Sequence, residues 1–202
     1  MVTGNMDKRY EAVVIGVSAG GMKALPEVLL HLSSDFPLPV IIVQHMAPTP
    51  NDSYFIKYLN GHCALTVKEA EEKDVISKGN VYIAPADYHL MIEKDRIFSL
   101  SIDNKVNYSR PSIDVLFESA ADVFQSRLIG IVLTGSNSDG ALGLKKIKDH
   151  GGLVIVQDPE TADAGIMPAS AIRACKVDHI MHLKQIGKYL NGLFKSHVRN
   201  IT

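Results

Sequence analysis

The run Ile15-Gly16-Val17-Ser18-Ala19-Gly20-Gly21 follows a short apolar stretch and leads into a helical pattern. Gly16 to Gly20 satisfies G-x-S-x-G, the spacing in which small neighbours let a serine hydroxyl stand exposed as a nucleophile at a strand-to-helix turn. The start of the following helix, at Ala19 and Gly20, would aim backbone N–H at the oxygen of a tetrahedral intermediate. The competing structural reading of Ser18 is a helix cap, a position serine favours. A dinucleotide fingerprint is disfavoured, because it needs G-x-G-x-x-G and Ser18 stands where the middle glycine lets a pyrophosphate approach the backbone. The phosphate-loop pattern G-x-x-x-x-G-K-[ST] is absent as well.

A serine nucleophile needs a base, and the base needs an orienting carboxylate. His45 lies in Val43-Gln44-His45-Met46-Ala47-Pro48, just past a second apolar run. Asp139 lies in Leu133-Thr134-Gly135-Ser136-Asn137-Ser138-Asp139-Gly140, just past another. Alone, His45 reads more readily as a structural loop histidine and Asp139 as a helix N-cap. Together they are stronger, because every strand-to-helix junction of a parallel sheet lies on one edge, and open α/β sheets gather their reactive groups there. Ser18, His45 and Asp139 all fall at such junctions. Their order differs from the Ser, Asp/Glu, His order of the α/β-hydrolase fold, but a triad is defined by geometry. Ser136 and Asn137, on the approach to Asp139, join Ala19 and Gly20 as candidates for holding an oxyanion or substrate.

The elements that must position these residues are legible in outline. Ala12–Ile15, Val40–Val43, Leu128–Leu133 and Leu153–Val156 are continuously apolar, as strands buried on both faces are. From Pro111, taken as a first-turn proline, Ile113, Leu116, Phe117, Ala120, Ala121 and Phe124 follow helical spacing. A second helix carries Leu142 and Lys145–Lys146, has His150 in its last turn and stops at Gly151–Gly152. A final amphipathic helix spans Lys184 to Val198. Between Val81 and Ile102, strand-like runs surround the turn Glu93–Lys94–Asp95 and predict an antiparallel hairpin. The fold class is α/β: a doubly wound, mostly parallel sheet with helices on both faces and an appended antiparallel hairpin. One domain is expected over 1–202, with its core at about 12–182.

Composition narrows the function. Apolar residues make up 46% of the 202 and charged residues 21%, as in a soluble globular domain. With 21 Lys+Arg against 22 Asp+Glu there is no basic surplus for nucleic acid. The polar N-terminus has no apolar signal region and no run spans a bilayer, so a cytoplasmic protein without membrane insertion is expected. Cys63 and Cys175 suggest neither a disulfide framework nor zinc. His179 and His182, three apart in a strand-like run, would point to opposite faces, so no metal pair is expected. Met46 and Met167 read as core rather than cleft.

The segments IGVSAGG, VQHMAP, VYIAPADYHL, RPSIDVLF, VLTGSNSDGALG and QDPETADAGIMPASAI stand in the order seen in chemotaxis-type protein-glutamate methylesterases. From about Ala12 to Ile172 the chain resembles the CheB catalytic domain. That resemblance implies a serine hydrolase that demethylates glutamate methyl esters on chemoreceptors, or on another methylated protein, and releases methanol. Many members also deamidate glutamine, and none of this calls for a cofactor. By motif, Ser18 is the nucleophile, His45 the general base and then acid, and Asp139 the carboxylate that orients it. The alternative is a relative that binds or regulates without catalysis, or acts on a different ester. Three departures stand out. About ten residues precede the first strand, so a phosphoacceptor receiver within this chain is not expected, and a response regulator would act in trans. Ala19 replaces a frequent threonine. Gly135-Ser136-Asn137 replaces a frequent Gly-Met-Gly and would wall the cleft near the ester.

Overall fold

The protein is described by a computed structural model over residues 10–46 and 52–195. The elements in chain order are β1 (Ala12–Val17), α1 (Gly21–Leu29), β2 (Val40–Gln44), α2 (Asp52–Asn60), β3 (Thr66–Glu69), β4 (Asn80–Ile83), β5 (His89–Ile92) and β6 (Phe98–Ser101). There follow α3 (Ile113–Phe124), β7 (Leu128–Val132), α4 (Ala141–Asp149), β8 (Leu153–Gln157), α5 (Ile166–Ala174), β9 (His179–Met181) and α6 (Leu183–Lys195).

Seven strands form one parallel sheet in the order β3-β4-β2-β1-β7-β8-β9. The continuous apolar runs arise because both faces are covered. Val13, Ile15 and Val17 pack into one cluster with Leu25 of α1, Leu59 of α2 and Ile186 and Leu190 of α6. Ala12 and Val14 pack into the other with Ile113 and Phe117 of α3, Leu144 of α4 and Ala171 of α5. The chain leaves β1 towards β2 on one side and later returns through β7 on the other. The strand order therefore reverses beside β1, where the crevice at the carboxyl ends opens.

The hairpin forms a separate two-stranded sheet, His89 pairing with Ser101 and Ile92 with Phe98. Its apolar face, Leu90, Ile92 and Phe98, is buried in the cluster that contains α3, and Phe98 meets Tyr82 of β4 edge-on at 4.9 Å. Tyr82 belongs to the parallel sheet, so only the later part of the Val81–Ile102 segment makes the hairpin.

Some boundaries move. Pro111 lies outside the helix, which begins at Ile113 after the flanking Ser112. The reason is tertiary: the first N–H groups of α3 are taken by a carboxylate from another loop. His150 is the residue that closes α4, ahead of Gly151 in left-handed conformation at φ 81. The last helix begins at Leu183, and Val198 lies outside the described residues. His179 hydrogen-bonds Tyr189 at 2.8 Å, while His182 Nδ1 accepts from the Lys184 N–H.

Candidate active site

Ser18 follows β1 directly, half-buried, at the reversal point of the sheet. Its N–H donates to the Thr134 carbonyl at 2.9 Å, and its own carbonyl accepts from the Gly21 N–H at 2.9 Å. The turn then closes through Gly20, at φ 86, a left-handed conformation that disfavours any side chain. A Cβ there would also stand 2.7 Å from Asp163 Cβ. Gly20, not Ser18, is the N-cap of α1, so the serine hydroxyl is not spent on capping.

β2 runs parallel to β1 with Val17 opposite Gln44, so the next residues, Ser18 and His45, leave the sheet side by side. The His45 N–H donates to the Val17 carbonyl at 3.1 Å, which extends the ladder to the site itself. His45 is nearly buried, and its Nε2 meets Asp139 Oδ2 at 2.8 Å, a carboxylate with no exposure at all. Because a carboxylate only accepts, the imidazole carries its proton on Nε2 and presents a lone pair at Nδ1. Nδ1 faces the cleft, with the Ser109 hydroxyl 3.5 Å away, at the outer limit of contact.

Asp139 comes from the loop after β7, and it is not the cap of α4, a place held by Gly140. Its carboxylate crosses to the N-terminus of α3, where it accepts the N–H groups of Ile113 at 2.7 Å and Asp114 at 3.2 Å. The Ser112 hydroxyl at 2.8 Å, Asn107 Nδ2 at 2.9 Å and the Gly140 N–H at 3.1 Å complete the set. Burial pushes this carboxyl up, but the bonds from His45, Asn107, Ile113 and Ser112 outweigh it and hold it below the usual carboxylate range. It is therefore a fixed anion seated on a helix N-terminus.

Several supporting residues escape a reading of the sequence. Asn107 gives one amide hydrogen to Asp139 and the other to Asp114, both at 2.9 Å, and so joins two buried carboxylates. Asp114 also accepts the Gly143 N–H at 2.7 Å. Burial pushes its carboxyl up to about 6 despite that N–H, and the Asp139 charge adds to the rise. His89 is buried and accepts the Ser112 N–H at Nδ1, while its Nε2 faces the Asn104 carbonyl, so hairpin and cap are tied together. Gln44 Nε2 donates to the carbonyls of both Ser18, at 3.0 Å, and His45, at 2.9 Å, clamping the two strand ends at fixed spacing. Its Oε1 is buried without a hydrogen-bond partner and lies against Gly21. Thr134 Oγ1 donates to the Ala19 carbonyl at 2.8 Å and ties the same turn to β7. Gln44, Ser112 and Asp114 do lie inside recognisable motifs, and Ser112 carries the ordinary signal of a serine before a helix. Asn107 carries no local signal.

Ala19 is exposed beside Ser18, and across the crevice Ser136 is exposed and Asn137 half-buried. The Gly135 N–H is taken by the Ala164 carbonyl and the Thr134 N–H by Gln157, so the donors this turn can offer are those of Ser136 and Asn137. Asn137 Oδ1 accepts the Asp139 N–H at 3.1 Å and shapes the turn. A cleft of about 290 Å³ opens at His45 and is lined by Met46, Asp87, Lys105, Tyr108, Ser109, Arg110 and Pro111. Met46 thus lines the cleft while also packing against the core, and Met167 is buried. A larger hollow of about 380 Å³, with Tyr10, Glu11 and Phe194 in its wall, lies at the opposite end of the strands. No cluster of three or more His, Cys, Asp or Glu among the described residues could hold a metal ion, and no helix among them is long and apolar enough to cross a membrane.

Against known proteins, the profile of the CheB methylesterase family matches residues 13–190. A Leptospira interrogans protein, provisionally named protein-glutamate methylesterase/protein-glutamine glutaminase, is 54% identical over 179 residues, covering 89% of this chain and 92% of its own. The Thermotoga maritima protein-glutamate methylesterase/protein-glutamine glutaminase is 38% identical over 181 residues, and the match spans 88% of this chain but 52% of that protein. The crystal structure of the Thermotoga maritima CheB methylesterase catalytic domain superposes with a TM-score of 0.86 at 36% identity, covering 91% of this chain and 98% of that one.

Proposed function

The chain belongs to the CheB methylesterase family, and on that premise we propose that it hydrolyses the methyl esters of glutamate side chains on chemoreceptor-type proteins through Ser18, His45 and Asp139. The observation that carries this reading is the 2.8 Å contact between His45 Nε2 and the buried Asp139 carboxylate, at the strand end beside Ser18. That contact fixes the proton on the far nitrogen and leaves Nδ1 as the base.

In the first step, His45 Nδ1 takes the Ser18 proton as Oγ attacks the ester carbonyl. The Ala19 N–H and the donors of the Ser136–Asn137 turn receive the oxyanion, with Gly20 permitting the turn that aims them. The imidazolium that forms is stabilised by Asp139, an anion held in place by its own donors. His45 then returns the proton to the methoxy oxygen, methanol leaves, and a glutamyl ester remains on Ser18. Water repeats the sequence, with His45 as base and then acid, to release the glutamate carboxylate and restore the serine. A glutamine side chain would form the same acyl-enzyme with ammonia as leaving group, the second activity in the names of the relatives.

The partners under this reading are a methylated receptor or other methylated protein and, for control, a response regulator acting in trans. The setting is cytoplasmic. The test is methanol release from methylated receptor fragments by the wild-type chain and by Ser18→Ala. Release that depends on Ser18 is expected. Equal release by a folded Ser18→Ala variant overturns the assignment.

A further inference from the structure

The cleft beside His45 holds about 290 Å³, at or below the ~300–1,000 Å³ of sites that enclose a whole small ligand. A site of that size takes one extended side chain and leaves the polypeptide that carries it outside. On the rim stands Tyr108, which lines the cleft and yet is 98% exposed, the most exposed large apolar side chain among the described residues.

The backbone that presents Tyr108 is unusual. Val106 and Ser109 pair as an isolated antiparallel bridge, exchanging hydrogen bonds of 3.2 and 2.9 Å. The two residues between them, Asn107 and Tyr108, both have positive φ, 51 and 63. This is the tight turn whose second central position favours glycine, and an aromatic residue there is strained. The turn is also anchored: Asn107 is bonded to Asp139 and Asp114, and Ser109 stands beside His45. A strained aromatic side chain, without cover and rigidly coupled to the site, suits a contact made outside the fold. The same wall bears Lys105 and Arg110. Arg110 is matched by Asp87 at 2.9 Å, so the wall keeps a net positive charge from Lys105.

We propose that Tyr108 is a specificity-determining residue, which packs against the polypeptide flanking the scissile glutamyl ester while the ester side chain enters the cleft. The proposal rests on the esterase reading of the site. The occupant is the substrate polypeptide itself, an apolar side chain lying on the ring and a neighbouring carboxylate facing Lys105.

The test compares kcat/KM for a methylated receptor fragment with that for a small ester, Nα-acetylglutamate γ-methyl ester, in the wild-type chain, Tyr108→Gly and Tyr108→Phe. Glycine relieves the strained φ, so Tyr108→Gly is expected to fold with an undiminished melting temperature. The expected result is that the preference for the polypeptide drops at least fivefold in Tyr108→Gly, mainly through KM, and is retained in Tyr108→Phe. An unchanged preference in Tyr108→Gly, or an equal loss on both substrates, overturns the proposal. Failure of the underlying esterase reading would look different: the wild-type chain would hydrolyse neither ester.

Discussion

Replacing Asp139 by asparagine removes one charge and exchanges one oxygen for an amide, and the site dictates which oxygen. Oδ1 receives four donors, from Asn107, Ser112, Asp114 and Gly140, whereas Oδ2 receives two, from His45 and Ile113. An NH2 group is therefore least unfavourable at the Oδ2 position. There it turns the Ile113 N–H into an unsatisfied buried donor, which costs about 1–3 kcal/mol. At ~2–4 °C per kcal/mol for a chain of this length, the melting temperature should fall by about 2–12 °C. The effect on chemistry is larger. The new amide donates to Nε2 of His45, so the ring must carry its proton on Nδ1, the nitrogen that the proposed mechanism uses as base. The corresponding loss in an enzyme whose histidine takes the wrong tautomer is about 10⁴ in kcat. Methanol release, scanning calorimetry and ¹⁵N resonances of the His45 ring read the three effects separately. Activity within tenfold of wild type, or a ring still protonated on Nε2, would refute the reasoning.

Two further predictions concern the supports. In Gly21→Ala the new Cβ would stand 1.7 Å from Gln44 Oε1 and 2.7 Å from its Cδ, so Gln44 must leave the carbonyls of Ser18 and His45. The overpacking should cost about 1–3 kcal/mol; in Gly21→Ala with Gln44→Ala the melting temperature should recover while turnover stays at least tenfold low, and recovery of both would show that Gln44 does not position the pair. Asp114, raised from its ordinary 3.8 to about 6, gives the folded state more bound protons than the unfolded one between those values, so its contribution makes folding weaker as pH rises through that window. The difference amounts to about 3 kcal/mol at ~1.36 kcal/mol per unit. From pH 4 to 7, Asp114→Asn should therefore gain stability relative to wild type in urea denaturation, and parallel curves would contradict the burial argument.

The scaffold was legible because a buried parallel strand has no polar face to hide: AVVI, VIIV, LIGIVL and LVIV announce β1, β2, β7 and β8. The short edge strand β3 was not, since only Val67 of Thr66–Glu69 is buried and four residues with three polar ones resemble a loop. Ser18, His45 and Asp139 could be singled out because each follows such a strand. The structure brings His45 and Asp139 into direct contact and sets Ser18 beside His45 on the neighbouring strand end. The supports around them work by distance in space. Asn107 lies 32 residues from Asp139 in a turn with no helical or strand pattern, so nothing local marks it. Pro111 and Ser112 carry a helix-start signal, but the cap itself arrives from Asp139, and that displaces the helix start to Ile113. Asp139 read alone as a cap was half right: it does serve a helix N-terminus, that of α3 rather than of the helix that follows it.

The most direct test of Ser18 as the nucleophile is to treat the native chain with a fluorophosphonate and map the adduct by mass spectrometry. A single adduct is expected, on Ser18, formed by the folded protein, lost on unfolding and greatly slowed in His45→Ala. Methanol release from methylated receptor fragments by a chain whose Ser18 stays unmodified under these conditions would contradict it.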